Sequence, residues 1–153
     1  MNIILALLAL ASPALLASDT PVSKILNSNA TELDLRGTGK PNFWRKFDAN
    51  GKITEWKWDR EAKGRIDEIM TRSPDGRTTF KRNPDTQGRF RETITLQVDQ
   101  GRVITEVIER NDDNGKPVER IERTYNREKG TMIEVNVTKK TVVERPIQTA
   151  FNS

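Results

Sequence analysis

The sequence contains no cysteine and no histidine among its 153 residues. Without cysteine the chain can form no disulfide, no thiolate metal site and no lipid-modified cysteine. Without histidine it lacks the commonest general base of enzymes and the imidazole ligand of most zinc sites. Serine occurs in no Gly-x-Ser-x-Gly context. We therefore expect no cofactor and no metal, and only a pair of carboxylates could support catalysis, as in glycosidases.

Long apolar runs are also scarce, and the one that exists lies at the N-terminus. Residues 1–17, MNIILALLALASPALLA, carry no charged side chain and are too few to span a bilayer. The run ends in small residues at Ala17-Ser18, which is typical of a secretory signal peptide. The sequence thus predicts a signal peptide over 1–17, a periplasmic or secreted protein, and no transmembrane segment after cleavage.

The chain has little apolar material for its charge, with 34% hydrophobic and 31% charged residues. A compact two-layer domain needs a larger core, whereas a repeat whose units pack only on their neighbours needs less. Although the net charge is +4, acidic and basic residues alternate along segments such as RETIT and ERIERTY. That pattern favours cross-strand ion pairs over a basic stripe, so we do not expect nucleic-acid binding.

Eight of the nine glycines form a ladder with spacings between 12 and 15 residues. A basic residue follows seven of them, and Thr131 follows the eighth; the ladder consists of Gly39, Gly51, Gly64, Gly76, Gly88, Gly101, Gly115 and Gly130. The intervals alternate polar residues with Thr, Ile, Val, Phe and Trp, which indicates one strand and one turn each. Every second glycine follows a longer polar loop, so the repeating unit is a pair of strands.

This periodicity predicts an all-β, up-and-down antiparallel meander of about nine strands in four hairpin units, either an open twisted sheet or a barrel. The hairpin repeat domain would span 34–145, between an N-terminal segment (18–33) and a C-terminal tail (146–153). Turn geometry predicts several cross-strand pairs: Phe47 with Ile53, Arg45 with Glu55, Trp44 with Trp56, Met70 with Phe80, Glu68 with Arg82, Val98 with Val103, and Ile94 with Val107.

The glycine-centred repeats resemble those of bacterial exported proteins built from DxxGK-type hairpins, a class that includes the YD repeats of Rhs proteins and MORN-like repeats. The resemblance covers 34 to about 135, although the Tyr-Asp pair of YD repeats is missing. It implies a hairpin array that serves as a shell, scaffold or binding surface, and it implies no catalytic residue.

The longer loops also resemble degenerate calcium loops, since acidic residues precede a glycine at alternate positions. Asp34 precedes Gly39, and Asp59 and Glu61 precede Gly64. Basic residues occupy other positions where carboxylates would coordinate, so plain polar loops are the favoured interpretation. Calcium binding by these loops is the alternative that the sequence leaves open.

Three tryptophans and a lysine form the candidate binding surface. The predicted register places Trp44, Trp56, Trp58 and Lys46 on one face of the first hairpin and Phe43, Phe47 and Ile53 on the other. Such a face could stack on sugar rings or contact an anionic polymer. The alternative is that the rings pack on the sheet or beneath residues 18–33.

The function expected from these features is that of an exported, non-enzymatic binding or scaffold module. Its partner would be a protein or an anionic polysaccharide of the cell envelope. The alternative is a glycan-directed hydrolase that uses two of the 22 acidic residues. The sequence does not nominate that pair.

Overall fold

A computed structural model describes residues 29–147. The predicted signal peptide, residues 18–28 of the N-terminal segment and residues 148–153 lie outside this range. Within it the protein is all-β, and no helix is long and apolar enough to cross a membrane. The strands are β1 (Glu32–Leu33), β2 (Phe43–Phe47), β3 (Ile53–Trp58), β4 (Glu68–Arg72), β5 (Arg77–Pro84), β6 (Phe90–Asp99), β7 (Arg102–Asn111), β8 (Pro117–Asn126), β9 (Thr131–Asn136) and β10 (Thr141–Pro146).

All ten strands form one antiparallel sheet in strict sequence order, which confirms the predicted up-and-down meander. Nine of them are five to ten residues long, which matches the number of strands that the glycine ladder predicts, and the two-residue β1 adds an edge before them. The sheet is open, because β1 and β10 are its two edges and do not pair with each other. Of the two predicted arrangements, the open sheet is the one observed.

Three of the turns have an aspartate at the first position and a glycine at the fourth. At residues 48–52 the Gly51 N–H donates to the Asp48 carbonyl (3.0 Å), and the Asp48 carboxylate accepts the N–H groups of Asn50 and Lys52 (2.8 and 2.9 Å). Gly51 has a φ of 76°, a conformation that most side chains disfavour. The turns at 85–89 and 112–116 repeat these bonds. The D-x-x-G-[KR] repeat is therefore a turn motif in which side chain and backbone both close the hairpin.

Four of the predicted cross-strand pairs are confirmed, namely Phe47 with Ile53, Met70 with Phe80, Glu68 with Arg82, and Val98 with Val103. Three are wrong by one residue. Arg45 opposes Trp56, Trp44 opposes Lys57, and Ile94 opposes Ile108.

The cause of each error is a β-bulge that follows the turn. The register shifts between Lys46 and Phe47 in one hairpin, and between Gln97 and Val98 in another. Thr54 is the extra residue in β3, and its hydroxyl donates to the Lys46 carbonyl (3.4 Å). A bulge of this kind moves every residue beyond it to the other face relative to the partner strand.

The core is centred on one row of apolar side chains that runs across the middle of the sheet, with one residue from each of the strands β3 to β8. Successive cross-strand partners form it, all of them buried: Trp56, Met70, Phe80, Ile94, Ile108 and Ile121. Phe43 and Leu96 complete the buried apolar cluster. We call the face that carries this row the core face and the opposite one the outer face.

Rows of alternating charge flank the apolar row on the core face. The longer row pairs Glu68, Arg82, Glu92, Arg110 and Glu119 across β4 to β8, and the second pairs Glu106, Arg123 and Glu134. Arg82 and Arg110 both donate to the Glu92 carboxylate, at 2.5 and 2.7 Å. The long side chains of these rows cover apolar surface with their methylene groups. A highly charged chain thereby shields a narrow apolar core.

Candidate functional site

The bulge in the β2–β3 hairpin separates the three tryptophans that the sequence had placed together. Arg45 opposes Trp56 and Phe43 opposes Trp58, so these four residues share the core face. Trp44 alternates with Phe43 and Arg45 along β2 and therefore lies on the outer face with Lys46. The prediction that Trp44, Trp56 and Trp58 share a face is wrong.

Trp56 is a core residue. Its ring centroid lies 5.6 Å from that of Phe43 and 6.1 Å from that of Phe80, and only 5% of the residue is exposed. Its ring is thus not available to a ligand on either face. The alternative interpretation of the aromatic cluster, packing on the sheet, holds for this residue.

Trp58 opposes Glu68, so it lies at the β3 end of the longer charged row, and it packs against the core. Phe43 meets its ring edge-on at 6.2 Å, and the Arg60 guanidinium lies 4.9 Å from its centroid. Arg60 also pairs with the buried Glu68 carboxylate. Trp58 Nε1 is buried and finds no acceptor among residues 29–147.

Trp44 and Lys46 line an open groove of about 430 Å³ on the outer side of the β1–β3 end. Trp44 stands between Glu32 of β1 and Lys57 of β3, its cross-strand neighbours. The full lining is Thr31, Glu32, Trp44, Arg45, Lys46, Glu55, Lys57 and Ile66. The structure thus keeps two of the four predicted site residues together and surrounds them with residues that the sequence did not nominate.

The charges of the groove are arranged around Glu55. Lys46 Nζ lies 3.0 Å and Lys57 Nζ lies 3.7 Å from Glu55 Oε1. The hydrogen bond from Lys46 holds the pKa of Glu55 below its usual value. Each ammonium group has three donors; Glu55 accepts from Lys46 and only ion-pairs with Lys57, so both lysines keep donors that can bind a further anion.

Arg45 and Asn42 fix the chain segments beside the groove through buried hydrogen bonds. The Arg45 guanidinium is buried, donates to the Ala30 carbonyl (2.7 and 3.1 Å) and lies 5.3 Å from the Phe47 ring centroid. Asn42 is fully buried; its amide donates to the Asp59 carbonyl and its oxygen accepts the Leu35 N–H. These bonds attach the irregular chain before β2 to the regular hairpin.

The two loops that resembled calcium loops use their first aspartate as a backbone acceptor. Asp34 accepts the N–H groups of Thr38 (3.0 Å) and Gly39 (2.6 Å), and the bond from Thr38 is the main reason that its pKa is lowered. Asp59 accepts those of Lys63 and Gly64, which lower its pKa although burial acts to raise it. Within residues 29–147, no three acidic side chains form a group that could hold a metal ion.

Comparisons of this chain with protein-family models, with curated proteins and with solved structures find no match.

Sequence reasoning missed Glu32, Glu55 and Lys57 as groove residues. Glu55 and Lys57 alternate with Trp56 in β3, and this pattern would have placed them beside Trp44 once the extra residue in β3 was known. Glu32 belongs to a strand of two residues, too short for a periodicity signal.

Proposed function

We propose that the protein is an exported, non-enzymatic binding module, and that the outer groove binds one ring of an anionic polysaccharide of the cell envelope. The observation that carries the proposal is the placement of Trp44. It lies outside the core cluster and lines an open groove together with Lys46 and Lys57. An aromatic ring offers an apolar platform, and neighbouring ammonium groups supply specificity for an acidic substituent.

The balance of charge in the groove favours an acidic sugar over a neutral one. Lys46 and Lys57 are 69% and 43% exposed in their side chains, whereas Glu55 between them is 23% exposed. The ammonium groups therefore extend further toward solvent than the carboxylate that pairs with them. A ligand carboxylate or phosphate entering beside Trp44 would meet the lysines first.

The geometry favours binding over hydrolysis. A glycosidase needs one carboxyl group with a raised pKa to protonate the leaving oxygen. Glu55, one of the two carboxylates that line the groove, has its pKa shifted downward by Lys46. The contact with Lys46 thus opposes protonation of Glu55, which a general acid requires.

The test is retention of the purified protein on cell-wall and outer-membrane polysaccharide fractions. Trp44→Ala should weaken binding about tenfold, the loss expected for one aromatic contact, while Trp44→Phe keeps most of it. Lys46→Ala and Lys57→Ala should each weaken binding in a salt-dependent way. Lys81→Ala, which alters an exposed lysine outside the groove lining, is the matched control and should bind normally.

Two results would contradict the proposal. Unchanged retention of a folded Trp44→Ala variant would reject the groove as the binding site. If the protein released reducing sugar, and Glu32→Gln or Glu55→Gln abolished that release, the function would be hydrolysis instead of binding. Because Trp44 is outside the buried cluster, its removal should leave the unfolding midpoint nearly unchanged, which separates lost binding from lost structure.

A further inference from the structure

The last strand, β10, is an exposed edge with backbone groups available for another strand. It pairs with β9 on one side and meets no other strand within residues 29–147. All six of its residues are exposed, including Val142 at 69% and Val143 at 40%. Among residues 29–147, five of the seven exposed large hydrophobic residues lie between 118 and 143, toward this edge. Such an edge is a template for strand pairing.

The hydrogen bonds of β10 show which of its residues point outward. The Ile147 N–H donates to the Gly130 carbonyl (2.8 Å), on the β9 side. Because bonding alternates along an antiparallel strand, Thr141, Val143 and Arg145 also direct their N–H and C=O groups to β9. Val142 and Glu144 therefore direct theirs outward. Pro146 lies on the outward side too, where its missing N–H removes no bond of the sheet.

We propose that β10 pairs with β10 of a second copy of this chain, antiparallel and centred on Val143. In this register Val142 of one copy opposes Glu144 of the other, and the two pairs form four backbone hydrogen bonds between the outward groups. Val143 meets its own counterpart on the core face, and Thr141 opposes Arg145. No like charges are opposed, so the edge is complementary to itself.

Neighbouring registers are less favourable. A shift of two residues in one direction opposes Glu144 to its own counterpart, a like-charge pair. A shift of two in the other direction brings Lys140 into the pairing, and its φ of 55° cannot continue a strand. A shift by one residue sets outward groups against inward ones and forms no bonds.

The other edge of the sheet, β1, is a poorer partner for β10 than a second β10. β1 is only two residues long, so a head-to-tail contact between β10 and β1 would gain few backbone bonds. Head-to-tail pairing would also produce an open chain of molecules, whereas pairing of β10 with itself closes at two copies. The geometry therefore favours a closed dimer.

The first test uses proline substitutions to remove the outward-directed N–H groups of β10. In the purified protein, V142P/E144P should raise the dimer dissociation constant at least about tenfold in analytical ultracentrifugation, because each lost bond contributes severalfold. The bonds to β9 survive, since neither residue donates to it. The matched control V142T/E144T keeps both N–H groups and should remain dimeric. Equal dimerisation of both variants would overturn the proposal.

The second test determines the pairing register by disulfide cross-linking. Because the sequence contains no cysteine, an introduced cysteine can pair only with its counterpart in the second copy. V143C should form an intermolecular disulfide under mild oxidation, since opposed residues of this type have Cα atoms about 4.5 Å apart. T141C should not, because it is four residues from its counterpart, roughly 13 Å along the strand. A monomer at all concentrations, or equal cross-linking at both positions, would reject the pairing. A monomer whose Val142 and Glu144 amides are protected from exchange would show instead that the chain covers its own edge.

Discussion

At the scale of single residues, Gly76 differs from the other glycines of the ladder. Like Gly51 it has a positive φ, 83° against 76°. A Cβ at position 76 would lie 2.6 Å from the Val98 carbonyl oxygen, whereas one at position 51 would meet nothing within 4 Å. The contact exists because the Gly76 carbonyl accepts the Val98 N–H (3.1 Å), which draws the turn against β6. Gly76 therefore joins two hairpins as well as closing one.

These two glycines form a matched pair for mutation. Gly51→Ala should lower the free energy of unfolding by about 1 kcal/mol, the strain of a side chain at positive φ. Gly76→Ala adds a backbone clash and should lower it by about 2–4 kcal/mol. Urea denaturation of both variants measures the difference. Equal losses would show that the contact with Val98 contributes nothing.

At the scale of elements, the charged row beside the core joins β5, β6 and β7 through Glu92. Burial acts to raise the pKa of Glu92, but the hydrogen bonds from Arg110 and Arg82 outweigh burial and lower it. A carboxylate whose pKa is lower in the folded state stabilises the fold above its unfolded pKa. That stabilisation is lost as the pH falls through the folded value.

We therefore expect the urea midpoint to be flat near neutral pH and to fall below about pH 4, where free glutamate titrates. Glu92→Gln should lower stability at pH 7 by about 1–3 kcal/mol, because it removes the negative charge that two arginines share and replaces one acceptor oxygen by an NH2 donor; it should also flatten the acid dependence. Glu109→Gln removes an exposed partner of Arg120 and should change stability by less than about 1 kcal/mol. An equal effect of the two variants would contradict a special role for the Glu92 row.

The β2–β3 hairpin shows how far the sequence could predict the elements and where it failed. Turn residues repeat in sequence, so the number of strands, their order and the pairs beside each turn were predictable. The bulge at Thr54 was not, because a threonine in a strand carries no local signal for an extra residue. One residue of register then changed Trp56 from a surface residue into a core residue and left Trp44 and Lys46 as the predicted half of the site.

At the scale of the whole molecule, each strand within residues 29–147 pairs only with its sequence neighbours, so stability should be highest in the middle of the sheet. β6, β7 and β8 are ten residues long each, whereas β1 has two and β10 has six. The central strands therefore have the most bonds to break before they open.

Amide hydrogen exchange should follow this gradient. The amides of β6 and β7 should exchange most slowly, and the β9-facing amides of Thr141, Val143 and Arg145 considerably faster. Uniform protection across the sheet would indicate all-or-none unfolding and would contradict the nearest-neighbour description.

Because the strands follow one another in sequence order, the number of strands sets the length of the sheet. The Trp44 groove lies at one end and the β10 edge at the other, eight interstrand steps from β2 to β10. At about 4.8 Å per step these two ends stand roughly 38 Å apart along the sheet. Duplicating or deleting one hairpin unit would change that reach by about 10 Å while leaving both ends chemically intact. The count of glycine turns thus fixes the distance between the two ends of the molecule.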